Sequence, residues 1–134
     1  MSTFNSQTPL TEDQVINIVR EEVESQFPKD CTACGYQFCW FNEYLENTVQ
    51  IGKPRSYDAG AQNWQSTNPL GIFSFSKCMH CGNTLTLSSS RTNVVTIRQL
   101  SEWINKEALQ RGITIDDLLD DLRVQIESQV LNQG

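Results

Sequence analysis

Two short cysteine turns of the same form carry most of the chemistry in this sequence. They read DCTACGY at positions 30–36 and KCMHCGN at positions 77–83. A Cys-x-x-Cys turn presents two sulfurs from one tight loop, and the glycine after it relieves crowding and lets backbone N–H groups point at sulfur. Two such turns supply four thiolates, the donor set that suits the tetrahedral preference of zinc. We therefore predict one shared zinc site with four ligands: Cys31, Cys34, Cys78 and Cys81.

The total cysteine count favours a metal over disulfides. The chain has five cysteines, and its first residues, MSTFNSQTPL, lack the basic and apolar segments of a signal peptide. We therefore expect a cytoplasmic protein, in which thiols stay reduced. Two unrelated structural turns, or a thioredoxin-like redox motif, are the alternatives. The redox motif is the less favoured, because neither turn falls between a strand and a helix of a βαβ pattern.

Two such turns, each followed by a strand pattern, resemble the zinc-ribbon group, also described as four-cysteine zinc knuckles. The resemblance covers residues 31–40 and 78–97 and leaves out the predicted helices. The two cysteine pairs lie 43 residues apart, more than the roughly 15–20 of the usual signature. Such a gap is tolerable because loop closure costs grow only logarithmically with length. A closed four-thiolate site leaves no open coordination position, so we expect a structural zinc that supplies on the order of 10 kcal/mol of folding free energy.

Two further residues near these turns are weighed as extra ligands. Cys39 follows the first turn in a predicted strand, and we expect a buried small apolar residue there, with a ligand as the alternative. His80 is the one histidine and lies inside the second turn. We expect its side chain to project away from a metal that its neighbours already serve.

The sequence contains no group of residues typical of a catalytic site besides the cysteines. The single histidine lies inside a proposed metal turn, the acidic residues cluster on predicted helix faces, and phosphate loops and His-Glu-x-x-His motifs are absent from the sequence. We therefore expect no enzymatic activity.

The pattern of the chain predicts an α+β fold, a small antiparallel zinc-ribbon sheet with one N-terminal and two C-terminal helices. We expect residues 1–10 to form a disordered leader and residues 11–134 a single domain. A capping box of Thr11 and Gln14, followed by apolar residues at helical spacing, predicts a helix over 11–26. Two helices are predicted over 100–131, separated by a glycine C-cap at Gly112 and an N-cap at Thr114.

The ribbon itself is predicted over 31–97. Alternating residues indicate strands at 36–40 and at 72–77 (IFSFSK). Residues 41–50 fit either a continuing strand or a short helix. NTLTL and NVVTIRQ are predicted to pair as a hairpin. The glycine- and proline-bearing segment 52–71 is predicted to be a long irregular loop, of a length associated with function or disorder.

The charge is unevenly distributed along the chain. The net charge of −6 divides into −4 for residues 1–28, +2 for 29–98 and −4 for 99–134. An acidic protein is a poor candidate for non-specific nucleic-acid binding, because phosphate contacts need local positive charge, although the slightly basic centre keeps this class open. The sequence contains no long apolar run, so we expect no membrane partner.

Two segments are candidates for contact with a partner. Tyr57 and Trp64 lie in the long loop with Lys53 and Arg55, and exposed aromatic and arginine side chains typically anchor interfaces. Packing of the loop over the ribbon is the alternative. The second candidate is DDLLDDL at 116–122, an acidic amphipathic helix that would dock in a partner's groove or form a homodimer, or else pack on its own ribbon. Its candidate contact residues are Asp117, Asp120 and Asp121.

These observations predict a non-enzymatic protein-binding module, an adaptor or regulator whose acidic ends would occlude a basic surface of its partner. The rival hypothesis is a nucleic-acid-binding zinc ribbon acting in transcription or replication. It would use the loop aromatics and the basic residues of the centre: Lys53, Arg55, Lys77, Arg91 and Arg98.

Overall fold

The computed structural model describes residues 10–56, 71–88 and 94–132, and the predicted loop residues Tyr57 and Trp64 and the basic residue Arg91 lie outside this range. The described part of the chain contains helices and antiparallel strands, so the predicted α+β class is confirmed. In chain order the elements are α1 (Glu12–Glu24), β1 (Lys29–Asp30), β2 (Gln37–Phe38), α2 (Phe41–Glu46), β3 (Thr48–Gly52), β4 (Arg55–Ser56), β5 (Gly71–Cys78), β6 (Thr84–Ser88), α3 (Val94–Arg111) and α4 (Ile115–Leu131).

Helix α1 begins at the predicted capping box. The Thr11 hydroxyl accepts from the Gln14 N–H at 3.2 Å, and the Gln14 side chain accepts from the Thr11 N–H at 2.9 Å. Both contacts satisfy N–H groups that the first helical turn leaves without partners. Leu10, the last residue of the predicted leader, is half-buried and packs against the core, and residues 1–9 lie outside the described residues.

Two antiparallel sheets form the β part of the fold. Strands β1 and β2 make a two-stranded sheet, with Asp30 opposite Gln37. The second sheet is built around β5, which pairs with β6 along one edge and with β3 and then β4 along the other. Both ends of the predicted loop over 52–71 are therefore strand, because β3 reaches Gly52, β4 follows at Arg55–Ser56 and β5 begins at Gly71.

The predicted hairpin between NTLTL and NVVTIRQ is wrong. NTLTL forms β6, but β6 pairs with the preceding strand β5, and Val94–Gln99 is the start of helix α3. The β-branched residues of this segment suggested a strand, yet such propensity is context-dependent and is overridden by packing. Buried Leu100, Ile104 and Ala108 set a helical repeat that extends back into the segment.

A Schellman motif ends α3 and turns the chain into α4. Gly112 has a φ of 69°, its N–H donates to the Leu109 carbonyl at 3.2 Å, and the Ile113 N–H donates to the Ala108 carbonyl at 3.1 Å. Thr114 then caps α4 by accepting from the Asp117 N–H at 3.1 Å. The two predicted helix boundaries at Gly112 and Thr114 are confirmed.

One hydrophobic core joins the helices to one face of the larger sheet. In β6, buried Leu85 and Leu87 alternate with exposed Thr84 and Thr86, so the sheet has a core face and an exposed face. The helices contribute Val15, Ile16, Val19 and Val23 from α1, Leu100, Ile104 and Ala108 from α3, and Ile115, Leu118, Leu119, Leu122, Ile126 and Val130 from α4. The apolar stripe of α4 is thus buried within the chain. No described helix combines the length and the apolar character needed to span a membrane.

Candidate metal centre

The two cysteine turns have the same backbone structure. In the first, the Cys31 N–H donates to the Tyr36 carbonyl at 2.9 Å and the Gly35 N–H to the Cys31 carbonyl at 2.8 Å. In the second, Cys78 and Gly82 make the equivalent bonds at 2.9 and 2.8 Å. The glycines have φ values of 79° and 80°, a left-handed conformation that costs a residue with a side chain roughly 1–2 kcal/mol. The glycine after each cysteine pair therefore closes its turn.

Each turn lies at the tip of an antiparallel strand pair. The first turn joins β1 to β2, and the second joins β5 to β6, with Cys78 as the last residue of β5. Strand pairs hold the two ends of each turn in register, so the cysteines project from the tips of the pairs. The zinc-ribbon resemblance predicted strands after each turn. The structure agrees for β2 and β6 and departs from the predicted ribbon at α3.

The four predicted ligands converge. The sulfur atoms of Cys31, Cys34, Cys78 and Cys81 all lie within 4.8 Å of one another. The Sγ–Sγ distance is 3.6 Å between Cys31 and Cys81 and 3.9 Å between Cys34 and Cys78. Four sulfurs at about 2.3 Å from a tetrahedral ion would lie about 3.8 Å apart, whereas a disulfide needs about 2.05 Å. The arrangement can therefore hold one metal ion.

The thiols of the four-sulfur group shift one another's pKa. The backbone N–H groups of Cys34 and Ala33 and the thiols of Cys81 and Cys34 lower the pKa of Cys31 to about 7, against the opposing effect of burial. At Cys81 the Asn83 N–H acts to lower the pKa, but burial and the other three thiols outweigh it and raise the pKa to about 12. Ionisation of one thiol thus opposes ionisation of the next, and a bound cation would relieve this repulsion.

The other two weighed residues lie outside the four-sulfur group. His80 Nε2 donates to Asn47 Oδ1 at 3.1 Å, and its ring stacks on Tyr36 with centroids 4.0 Å apart. Its side chain is thus directed to neighbours other than the sulfurs, as expected. The prediction that Cys39 is buried is wrong, because Cys39 is exposed. The strand predicted over 36–40 ends at Phe38, so Cys39 lies in the connection to α2, where its N–H donates to Glu43 Oε1 at 2.9 Å.

The two candidate segments meet at their described residues Lys53, Arg55 and Asp117, whereas Tyr57 and Trp64 lie outside the described residues. Lys53 Nζ is 3.5 Å from Asp117 Oδ1, and Arg55 lines the same cavity of about 480 Å³ as these two residues. Asp120 pairs with Arg123 at 2.9 Å and Asp121 with Arg111 at 3.8 Å. Each of the three candidate aspartates therefore has a cation partner within the chain.

Sequence reasoning missed an exposed apolar strip beside the second cysteine turn. The strip consists of Val49, Ile51 and Met79, which are 51%, 48% and 58% exposed. Val49 lies opposite Lys77 on the exposed face of the larger sheet, and the Met79 N–H donates to the Asn47 carbonyl at 3.0 Å, next to the start of β3. The alternation of Val49 and Ile51 with Gln50 is the pattern of a strand and could have indicated this strip. The sequence of 41–50 fits both a strand and a helix, so the pattern was not decisive.

No protein-family model, curated protein or solved structure matches this chain.

Proposed function

We propose that this protein is a non-enzymatic protein-binding module stabilised by one structural zinc ion. The observation that carries the proposal is the apolar strip that adjoins four converging sulfurs. The four-sulfur group joins two hairpin tips, and the strip lies on β3 and on the second cysteine turn. The site therefore holds in place the surface that would meet a partner.

The donor set supports zinc in a structural role. Four thiolates in tetrahedral arrangement suit zinc or an iron centre, and the Sγ–Sγ distances of 3.6 and 3.9 Å are compatible with both. Zinc is the proposed ion because four protein ligands and a closed site are typical of structural zinc. With no coordination position left for water or substrate, the ion would hold the turns together and perform no chemistry.

Metal analysis of the purified chain tests the ion. We expect one zinc per chain by mass spectrometry of the elements, and none in Cys78→Ser, which would also lose on the order of 10 kcal/mol of folding free energy. Cys39→Ser is the matched control, since Cys39 is exposed and outside the four-sulfur group. One iron per chain, or a Cys78→Ser protein that melts like the parent, would contradict the proposal.

The apolar strip supports the protein-binding role. Val49 and Ile51 are both exposed on a strand that carries no charged residue, and Met79 adds a flexible apolar side chain of the type that adapts to partner surfaces. Exposed apolar groups that cluster mark interaction sites more often than scattered ones do. Trp40, 65% exposed between the first cysteine turn and α2, is a further candidate contact.

Equal exposure at two valines gives a matched test of the strip. Val49 on β3 and Val124 on α4 are each 51% exposed. We expect Val49→Ser to abolish the cross-linked complex formed with a partner from the native host, and Val124→Ser to leave it unchanged. If both variants kept the cross-linked complex equally, or lost it equally, the strip would not be the contact surface. Zinc content of both variants is measured in parallel.

The nucleic-acid hypothesis has weaker support. Of its basic residues, Lys53 is paired with Asp117, and Arg55 lines a cavity that also contains Asp116 and Asp117, so nearby carboxylates offset part of the positive charge. Lys77 and Arg98 are exposed on different elements, β5 and α3. A titration with DNA and RNA at low and moderate salt distinguishes the two functions, because phosphate binding would weaken steeply with salt.

A further inference from the structure

An aromatic contact joins the two cysteine turns outside the four-sulfur group. Tyr36 follows the first turn and His80 lies inside the second, and their rings stack with centroids 4.0 Å apart and planes 16° apart. The residues that bear these rings are 44 positions apart in the sequence. The stack is therefore a second connection between the turns, made without any sulfur.

Helix α2 holds both rings from one side. Glu43 accepts a hydrogen bond from the Tyr36 hydroxyl at 2.7 Å and one from the Cys39 N–H at 2.9 Å. These bonds lower the pKa of Glu43, so the carboxylate stays ionised at neutral pH and each bond is charge-assisted.

Asn47, the C-cap of the same helix, holds the second turn. Its side-chain carbonyl lies 3.1 Å from His80 Nε2, and its backbone carbonyl accepts from the Met79 N–H at 3.0 Å. Its own amide donates to the Glu43 carbonyl at 2.8 Å, which fixes the side chain that meets His80. One short helix therefore positions a ring from each turn.

We propose that Tyr36 and His80 are positioning residues that slow the release of the bound metal. The inference rests on the metal site proposed above. A four-cysteine site loses its ion when one turn moves away from the other, and the stack must break before the turns can separate. His80 is exposed, so burial of its ring gives it little other structural value. Its side chain contacts the other turn and Asn47, whereas only its backbone N–H meets a sulfur, donating to Cys78 Sγ at 3.4 Å.

The stack is tested by the rate of zinc transfer from the loaded full-length chain to a chromogenic chelator in excess. We expect His80→Ala to release zinc roughly tenfold faster, in the range found when partners of metal ligands are removed. His80→Phe keeps a stacking ring and should restore a rate near that of the parent. Thr32→Ala is the control, since Thr32 is an exposed residue of the first turn outside these contacts.

A double-mutant cycle separates the stack from general loosening of the turns. Tyr36→Leu and His80→Ala should each accelerate release, and the double variant should release zinc no faster than the quicker single variant, because either change alone removes the contact. If the two single-variant rate increases multiplied in the double variant, the proposal would be overturned. A His80→Ala release rate within twofold of the parent would overturn it as well. If the parent itself bound no zinc, the proposed function would fail, and that result is visible before any rate is measured.

Discussion

At the scale of single residues, Tyr44 is a buried polar group with an unusual environment. Its side chain is fully buried, and its ring makes edge contacts with Phe27 and Phe38 at centroid distances of 5.6 and 5.1 Å. Its hydroxyl faces Ser74 and Ser76 but has no hydrogen-bond partner of good geometry among the described residues. Burial raises the pKa of Tyr44 to about 12, so the neutral phenol is the relevant form at ordinary pH.

We expect Tyr44→Phe to leave the free energy of unfolding unchanged or raise it by about 1 kcal/mol. The change removes a buried hydroxyl that has no well-placed hydrogen-bond partner among the described residues, and the packing of the ring is retained. Tyr36→Phe is the contrasting variant, because it removes the hydroxyl that donates to Glu43 and should lower stability. Urea denaturation measures both, and a loss above about 1 kcal/mol in Tyr44→Phe would mean that the hydroxyl is paired.

The convergence of the four cysteines was predictable at the residue scale, and the exposure of Cys39 was not. The spacing within each Cys-x-x-Cys-Gly turn determines that both sulfurs point to one side, so the chemistry is local. The burial of Cys39 depends on where strand β2 ends, and alternation in five residues does not locate that end. The stack of Tyr36 on His80 was also beyond sequence reasoning, because it joins two segments through their folded positions.

At the scale of elements, a side chain completes one edge of the larger sheet. The Gln26 amide, just after α1, donates to the Ser88 carbonyl, and its side-chain carbonyl accepts from the Ser88 N–H at 3.2 Å. A primary amide presents one donor and one acceptor in the arrangement of a peptide group. Gln26 therefore occupies the position of a neighbouring strand at the end of β6.

We expect Gln26→Ala to lower the free energy of unfolding by about 1–2 kcal/mol, because the half-buried Ser88 backbone groups lose a partner. Gln26→Glu keeps the shape but places a carboxylate against the Ser88 carbonyl, so it should cost at least as much. Gln110→Ala, at an exposed position of α3, should change stability by less than about 0.5 kcal/mol. Equal effects at Gln26 and Gln110 in thermal or urea denaturation would refute this role.

Helix ends were predicted well, and the partner of β6 was not. Thr11, Gly112 and Thr114 act through bonds to residues at most five positions away, so their signals are contained in the local sequence. The segment starting at Val94 has residues suited to a strand, and its helical state follows from the packing of Leu100 and Ile104 in the core. Packing of this kind depends on residues far away in the chain.

At the scale of the whole molecule, the metal centre and the hydrophobic core are continuous. Cys31 and Cys78 are both buried members of the core cluster that includes the helices. The buried side of the candidate metal centre is thus part of the hydrophobic core. Arg111 connects two helices, with Glu12 of α1 at 3.1 Å and Glu107 of its own helix at 3.0 Å.

Removal of the metal should therefore affect the whole fold. A structural zinc contributes on the order of 10 kcal/mol, comparable to the total stability of about 5–15 kcal/mol typical of a domain. We expect chelation to lower the melting temperature sharply, with amide exchange protection lost first at β2, β5 and both cysteine turns. An unchanged melting curve after verified loss of the metal would contradict a structural role for the ion.

The whole-molecule arrangement was predictable only in part. The fold class and the meeting of the two cysteine turns follow from patterns and from ligand chemistry. The proximity of Lys53 to Asp117 does not, because the two lie on separate elements and meet through the packing of α4 against the sheet.

The two edges of the larger sheet differ in their ability to accept another strand. Gln26 occupies the edge at the end of β6, whereas β3 on the opposite side has no strand partner beyond β5 in the described chain. Among the described residues, an unpaired strand edge therefore runs along Thr48–Gly52. The bulge at Ile51 limits the run of regular backbone available there to the first residues of β3. A strand added at this edge of the described sheet would therefore be short.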